Sequence, residues 1–251
     1  MEPVSLAVGV AALAGLFETA IDGFCYIRAG REFGTEFQTS CLQLDNAQLR
    51  LSRWGEAVGL GSQTAATVTL ETTTVQKKDI ERAEERLGHI ILLFQHAEKL
   101  TNDYRAENST QGETEIDTIM PPATRTLRER TLKICRQRQR SKSVGKKAKW
   151  AVYERDHFKS LVGNVDTLVR DLAELFPATQ SAQKTLCNQE AEEFRDVKAL
   201  ATLKDIADAH DALLAEALAK LAGQSVCRLI SSTIVLGTWA DNVGNHSKHM
   251  E

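Results

Sequence analysis

The chain has 251 residues, room for one large or two small domains, and its 31 basic and 34 acidic residues leave a formal net charge of −3. Its five cysteines, at positions 25, 41, 135, 187 and 227, are odd in number, widely spaced and without a C-x-x-C pair. This argues against a disulfide framework and a zinc site, and fits a reducing cytosol.

The first element, predicted as a helix over residues 5–28, carries most of the information. From Val4 to Phe17 no residue is charged; Glu18 and Asp22 then sit in a further apolar run ending near Ile27. Leu6, Val10, Leu13, Phe17, Ile21 and Phe24 recur at spacings of three and four, one helical stripe. Two readings stand. The stripe is a buried core face, or the segment inserts into a membrane, where two carboxylates would be costly. The leader has no Lys or Arg and carries Glu2, so it is not read as a secretory signal.

A second helix is predicted over 36–58, with Phe37, Cys41, Leu44, Leu51 and Trp54 as its apolar stripe, ended by Gly59 and Gly61. The Thr-rich, β-branched stretch that follows reads as a loop with at most a short strand. A third helix over 75–105 carries Ile80, Leu87, Ile91, Phe94 and Leu100, and the polar stretch 107–120 is a loop. Pro121-Pro122 opens a helix to about residue 140, since proline suits a first turn. Helices over 143–153 and 156–176 follow, Pro177 starts another to about 195, and the last runs over 200–221. Four prolines and many good helix formers therefore give an all-α multi-helix bundle over residues 1–223, with room for one short β-hairpin, and a flexible tail over 224–251.

Residues 125–155 hold twelve basic side chains opposed only by Glu129 and Glu154. Two readings are open: a solvated helix face paired with acidic helices, or an anionic-lipid surface in which Lys146, Lys147 and Lys149 are the candidates. Nucleic acid is disfavoured, because only Trp150 and Tyr153 are interleaved. No P-loop follows Gly145, and Glu84-Glu85 and Glu192-Glu193 read as helix surface. His246 and His249 read as a disordered pair in a Gly/Asn tail. The sequence thus predicts neither an enzyme nor a metal or other cofactor.

Several ordered strings resemble one family. They are Ala14–Phe17, Asp22-Gly23-Phe24, Gly30-Arg31-Glu32-Phe33-Gly34, Cys41–Asp45 (one residue shorter than the family's), RLSRWGEAV at 50–58, ILLFQHAEK at 91–99, KKAKWAVY at 146–153, ELFP at 174–177 and ALATLKDIA at 199–207. Together they are similar to the HeLo domain of fungal heterokaryon-incompatibility proteins. The resemblance implies a helical domain with a quiescent soluble form. In toxic members a C-terminal prion-forming segment converts to amyloid and remodels the domain. The domain then expels its N-terminal helix into a membrane, and the cell dies.

Carried to this chain, Val4, Leu6, Val10, Leu13, Phe17, Ile21 and Phe24 would insert. Glu18, Asp22, Glu32 and His89 are the switch candidates. The implied partners are membrane lipids on activation, a prion-forming or HeLo-containing protein, and further copies of the chain. The implied location is the cytoplasm, with relocation to the plasma membrane. Two departures accompany the match. Gly88-His89 stands where toxic members carry acidic residues, and residues 232–248 resemble at most one repeat of the amyloid segment. The alternative implied is a non-toxic relative, a soluble interaction or regulatory domain.

Overall fold

The computed structural model describes residues 3–24, 27–29, 34–61, 76–107, 114–139 and 150–223. In chain order the elements are α1 (Pro3–Gly23), β1 (Ile27–Ala29), α2 (Thr35–Ala57), α3 (Lys77–Glu107), β2 (Thr114–Glu115), α4 (Ile116–Ile119), α5 (Pro122–Gln137), β3 (Trp150–Val152) and α6 (Arg155–Glu174). A 3₁₀ turn over Pro177–Thr179, α7 (Gln180–Glu193), α8 (Leu200–His210) and α9 (residues 212–223) complete the chain. The all-α bundle expected from the sequence is present.

Helix α2 is the axis of the bundle, and its sequence explains why. Phe37, Cys41, Leu44, Ala47, Leu51, Trp54 and Val58 recur at three and four and face one apolar cluster, shared with α1, α3, β3 and α6. On the opposite side Leu42 and Leu49, two turns apart, enter a second cluster built from α5, α7, α8 and α9. Between these faces lie two buried polar stripes, Asp45, Gln48 and Ser52 on one side and Asn46, Arg50 and Arg53 on the other. From Leu44 to Gly55 every residue is buried.

Trp54 is fully buried, its ring 6.0 Å from Phe17 and 5.9 Å from Phe176. The stripe packs on α1 through Phe17, and the most extensive helical contact of α2 is with α6. Trp54→Ala is expected to cost about 3–5 kcal/mol in denaturant unfolding, as a large-to-small core change. A loss under about 1 kcal/mol would place the ring outside the core.

Four local expectations are corrected. The short β-hairpin is instead a three-stranded sheet of order β2-β1-β3, in which Ile27–Ala29 runs parallel to Trp150–Val152 and antiparallel to β2. Residues 150–152, expected as helix, are therefore strand. Trp, Val and Tyr favour a pleated surface, and the Thr101 hydroxyl serves the strand's outer edge, accepting from Ala151 N at 2.8 Å while donating to the Ala97 carbonyl of its own helix at 2.8 Å. The first helix stops at Gly23 rather than 28, because Ile27 joins this sheet. The last predicted helix breaks at Asp211 for the reason given below. The Thr-rich stretch lies outside the described residues from Ser62 to Val75, as do residues 140–149 and the tail from Gln224.

Candidate functional site

The N-terminal helix lies along α3, with its apolar stripe inward. Leu13, Phe17, Ala20, Ile21 and Phe24 are all buried. The side chains of Val4, Leu6 and Val10 lie outside what the structure describes, as does Glu32. Two glycines shape the seat. A Cβ on Gly55 would meet Cζ of Phe17 at 2.2 Å, so the ring rests directly on the backbone of α2. A Cβ on Gly23 would meet Cδ2 of Phe94 at 2.2 Å, and Phe94 in turn packs edge-on against Phe24 at 4.8 Å. The last turn of α1 is pinned by Trp150, whose Nε1–H donates to the Gly23 carbonyl at 3.0 Å.

Glu18 and Asp22 are half-buried at the margins of the stripe. This is where a carboxylate can stay hydrated while its neighbours are packed. His89 is exposed on α3, the helix that carries α1. Among the described residues no helix is long and apolar enough to cross a membrane.

Five of the seven described basic residues in the run have partners within the chain, in line with the reading of charges paired across helices. Arg128 is buried, bonds Asp45 through Nη1 at 2.8 and 2.9 Å, and sets Nε 3.0 Å from Asp117. Arg138 donates to Glu190 at 2.6 Å, Arg125 to the Met120 carbonyl, Arg130 to the Glu193 carbonyl and Arg155 to Glu36. Lys133 and Arg136 are exposed. Lys146, Lys147 and Lys149 lie outside the described residues, immediately before the strand that begins with Trp150.

Sequence reasoning missed a buried ionic layer. Arg53 grips Glu190 through Nε and Nη2 and Asp211 through Nη1 and Nη2, with bonds of 2.5–3.1 Å. Arg50 donates to Asp166 at 2.6 Å, and the other Asp166 oxygen meets His210 Nδ1 at 3.2 Å. Asp211 also accepts from Leu214 N at 3.3 Å, the geometry of a helix N-cap, which is why α8 ends and α9 begins there. Burial raises the Asp211 pKa, but Arg53 outweighs it and holds the carboxyl below its usual range. Burial pushes Asp45 up to about 6, against the pull of Arg128.

The free thiols of Cys41, Cys135 and Cys187 are buried, and burial pushes all three pKa values up, that of Cys135 to about 12. These thiols serve as packing groups of the core. The available signal was Arg50 and Arg53 three apart in a helix otherwise apolar on two faces, a pattern that demands buried acids elsewhere.

Comparison with known proteins agrees with this architecture. Residues 5–203 match the HeLo family, described as prion-inhibition and propagation. Heterokaryon incompatibility protein S of Podospora anserina is 32% identical over 220 residues, covering 87% of this chain and 74% of that protein. Heterokaryon incompatibility protein s of the same species is 33% identical over the same span. The solved structure of the HET-s N-terminal domain superposes with a TM-score of 0.71 at 32% identity, covering 85% of this chain and 98% of that one. A mutant form of that domain gives the same TM-score at 31% identity.

Proposed function

This chain belongs to the HeLo family and is related to the HET-s heterokaryon-incompatibility proteins, and on that premise we propose that it is a membrane-acting cell-death domain held in a quiescent form. On activation α1 leaves its seat and enters a membrane. The observation that carries the proposal is the division of the packing. The buried ion pairs of α2 run to α5, α6, α7 and Asp211, and Glu190 of α7 is gripped in turn by Arg138, so this layer is built without α1. The seat of α1 rests on Phe17, Ile21, Phe24 and the Trp150 hydrogen bond. A bundle held by such a layer can lose one apolar helix and keep its remaining packing.

The domain works by binding and insertion rather than by catalysis, from the cytoplasm to the plasma membrane. Its partners are a prion-forming or HeLo-containing protein and further copies of the chain. The lysines at 146, 147 and 149 supply anionic-lipid contact next to the strand that pins α1.

Liposome leakage tests this. Glu18→Gln removes one insertion penalty at a half-buried position and is expected to raise leakage once the domain is opened by mild destabilisation. Leu13→Lys is expected to abolish it and to destabilise the resting fold, since Leu13 is fully buried. Reversing Lys146, Lys147 and Lys149 to Glu is expected to weaken sedimentation with anionic vesicles, by a margin that shrinks in high salt. An opened, folded protein that never disturbs liposomes would favour the non-toxic relative instead, a reading that Gly88-His89 supports.

A further inference from the structure

One cavity of about 370 Å³ lies between the C-terminal half of α3, β3 and the first turns of α6. That volume is at the small end for ligand pockets, which run from about 300 to 1,000 Å³. Its lining divides by chemistry. The apolar and aromatic part includes Leu93, Leu161, Trp150 and Phe158, with the Tyr104–Tyr153 pair stacked at 3.9 Å and 21°. The charged part is acidic: Asp103, Glu107 and Glu154 contribute carboxylates, and no Lys or Arg is among the described residues of the lining. Asp103 and Glu107 make no ion pair among the described residues, whereas Glu154 meets His157 at 3.0 Å. An aromatic surface rimmed by carboxylates favours an organic cation, attracted by ring quadrupoles and charge while its methyl groups cover apolar surface.

We infer that this cavity binds a small alkylammonium cation, of the kind carried by choline, and that its occupancy braces the Trp150 hydrogen bond that pins α1. Trp150 supplies the physical link. The residue lines the cavity, its Nε1–H donates to Gly23 of α1, and its ring packs at 5.9 Å on Phe94, the ring that seats Phe24. A cation filling the cavity holds that ring in place and favours seated α1, because a ligand stabilises the state that binds it. The coupling deepens the proposed release of α1 and rests on that reading, whereas the cation site does not.

Calorimetry of the whole chain with choline, and with its neutral isostere 3,3-dimethyl-1-butanol, separates charge from shape. Choline is expected to bind about tenfold more tightly, and Asp103→Asn with Glu107→Gln to weaken it severalfold while leaving the isostere unchanged. Equal binding of the two probes, no saturable choline binding, or an unaffected double variant would overturn the site.

Displacement of choline by phosphatidylcholine vesicles but not by phosphatidylglycerol vesicles would identify a lipid headgroup as the source of the cation, and no displacement the free molecule. Hydrogen exchange of α1 tests the coupling. Choline is expected to slow it, and to lose that effect in Trp150→Phe, which keeps a ring but has no N–H. Choline binding with unchanged α1 exchange would overturn the coupling. A domain that binds choline but never leaks liposomes would leave the site standing and remove the release mechanism.

Discussion

Arg53→Met is expected to lower the unfolding free energy by about 5 kcal/mol, the upper end of the range for removing one partner of a buried ion pair. Methionine matches much of the stem, so packing is nearly kept and the loss reports charge. Glu190 retains Arg138, but Asp211 loses both of its short bonds, and each carboxylate is buried. Urea unfolding measures the effect. A second variant, Arg53→Met with Asp211→Asn, is expected to recover much of it. Asparagine removes the orphaned charge and still caps α9 at Leu214, since it is as good an N-cap as aspartate.

The pH dependence follows from the lowered Asp211 pKa. A depressed folded-state carboxyl contributes stability that is fully present above the unfolded value near about 4, and is lost only as pH falls through the lower folded value. The wild type is therefore expected to keep this contribution at mildly acidic pH, and Arg53→Met to lack it at every pH. A loss under about 1 kcal/mol in Arg53→Met would show that the layer is solvated rather than buried.

Helix α2 shows what the sequence could and could not reveal. Its apolar stripe through Leu44, Leu51 and Trp54 is a local pattern, and periodicity finds it. The acids that answer Arg50 and Arg53 stand at 166, 190 and 211, separations of more than a hundred residues that no local pattern encodes. The break between α8 and α9 was hidden for the same reason, because Asp211 is a helix stop only once Arg53 and the Leu214 amide are beside it. Trp150–Val152 looked helical next to Lys146–Lys149, yet its partner strand is Ile27–Ala29, at the far end of the chain. Within the basic run burial was hidden, because charge counts as surface in a sequence. Arg128 and Arg138, by contrast, are buried against Asp45 and Glu190. The stripe of α1 was legible, and Leu13, Phe17, Ile21 and Phe24 are buried as it required.

Gly55 ties the seat of α1 to a measurable outcome. A glycine inside a helix costs roughly 0.5–1 kcal/mol relative to alanine, so Gly55→Ala judged by propensity alone should stabilise α2. The structure reverses the sign. The new methyl would lie 2.2 Å from Cζ and 2.4 Å from Cε2 of Phe17, whose ring is buried beside Trp54.

Overpacking of this kind costs about 1–3 kcal/mol, and here the strain falls on the contact between α2 and α1. Gly55→Ala is therefore expected to speed amide exchange in residues 13–23 while the helices of the ionic layer keep theirs, and to raise liposome leakage without any added destabilisation. Gly15→Ala is the control. A Cβ there meets nothing within 4 Å, so it should strengthen α1 without touching the seat, leaving exchange in residues 13–23 unchanged or slower. If Gly55→Ala instead slows exchange throughout α1 and α2, the ring does not rest on that glycine and the seat is not the latch. If it frees α1 but liposomes stay intact, the seat is real and the membrane step is not.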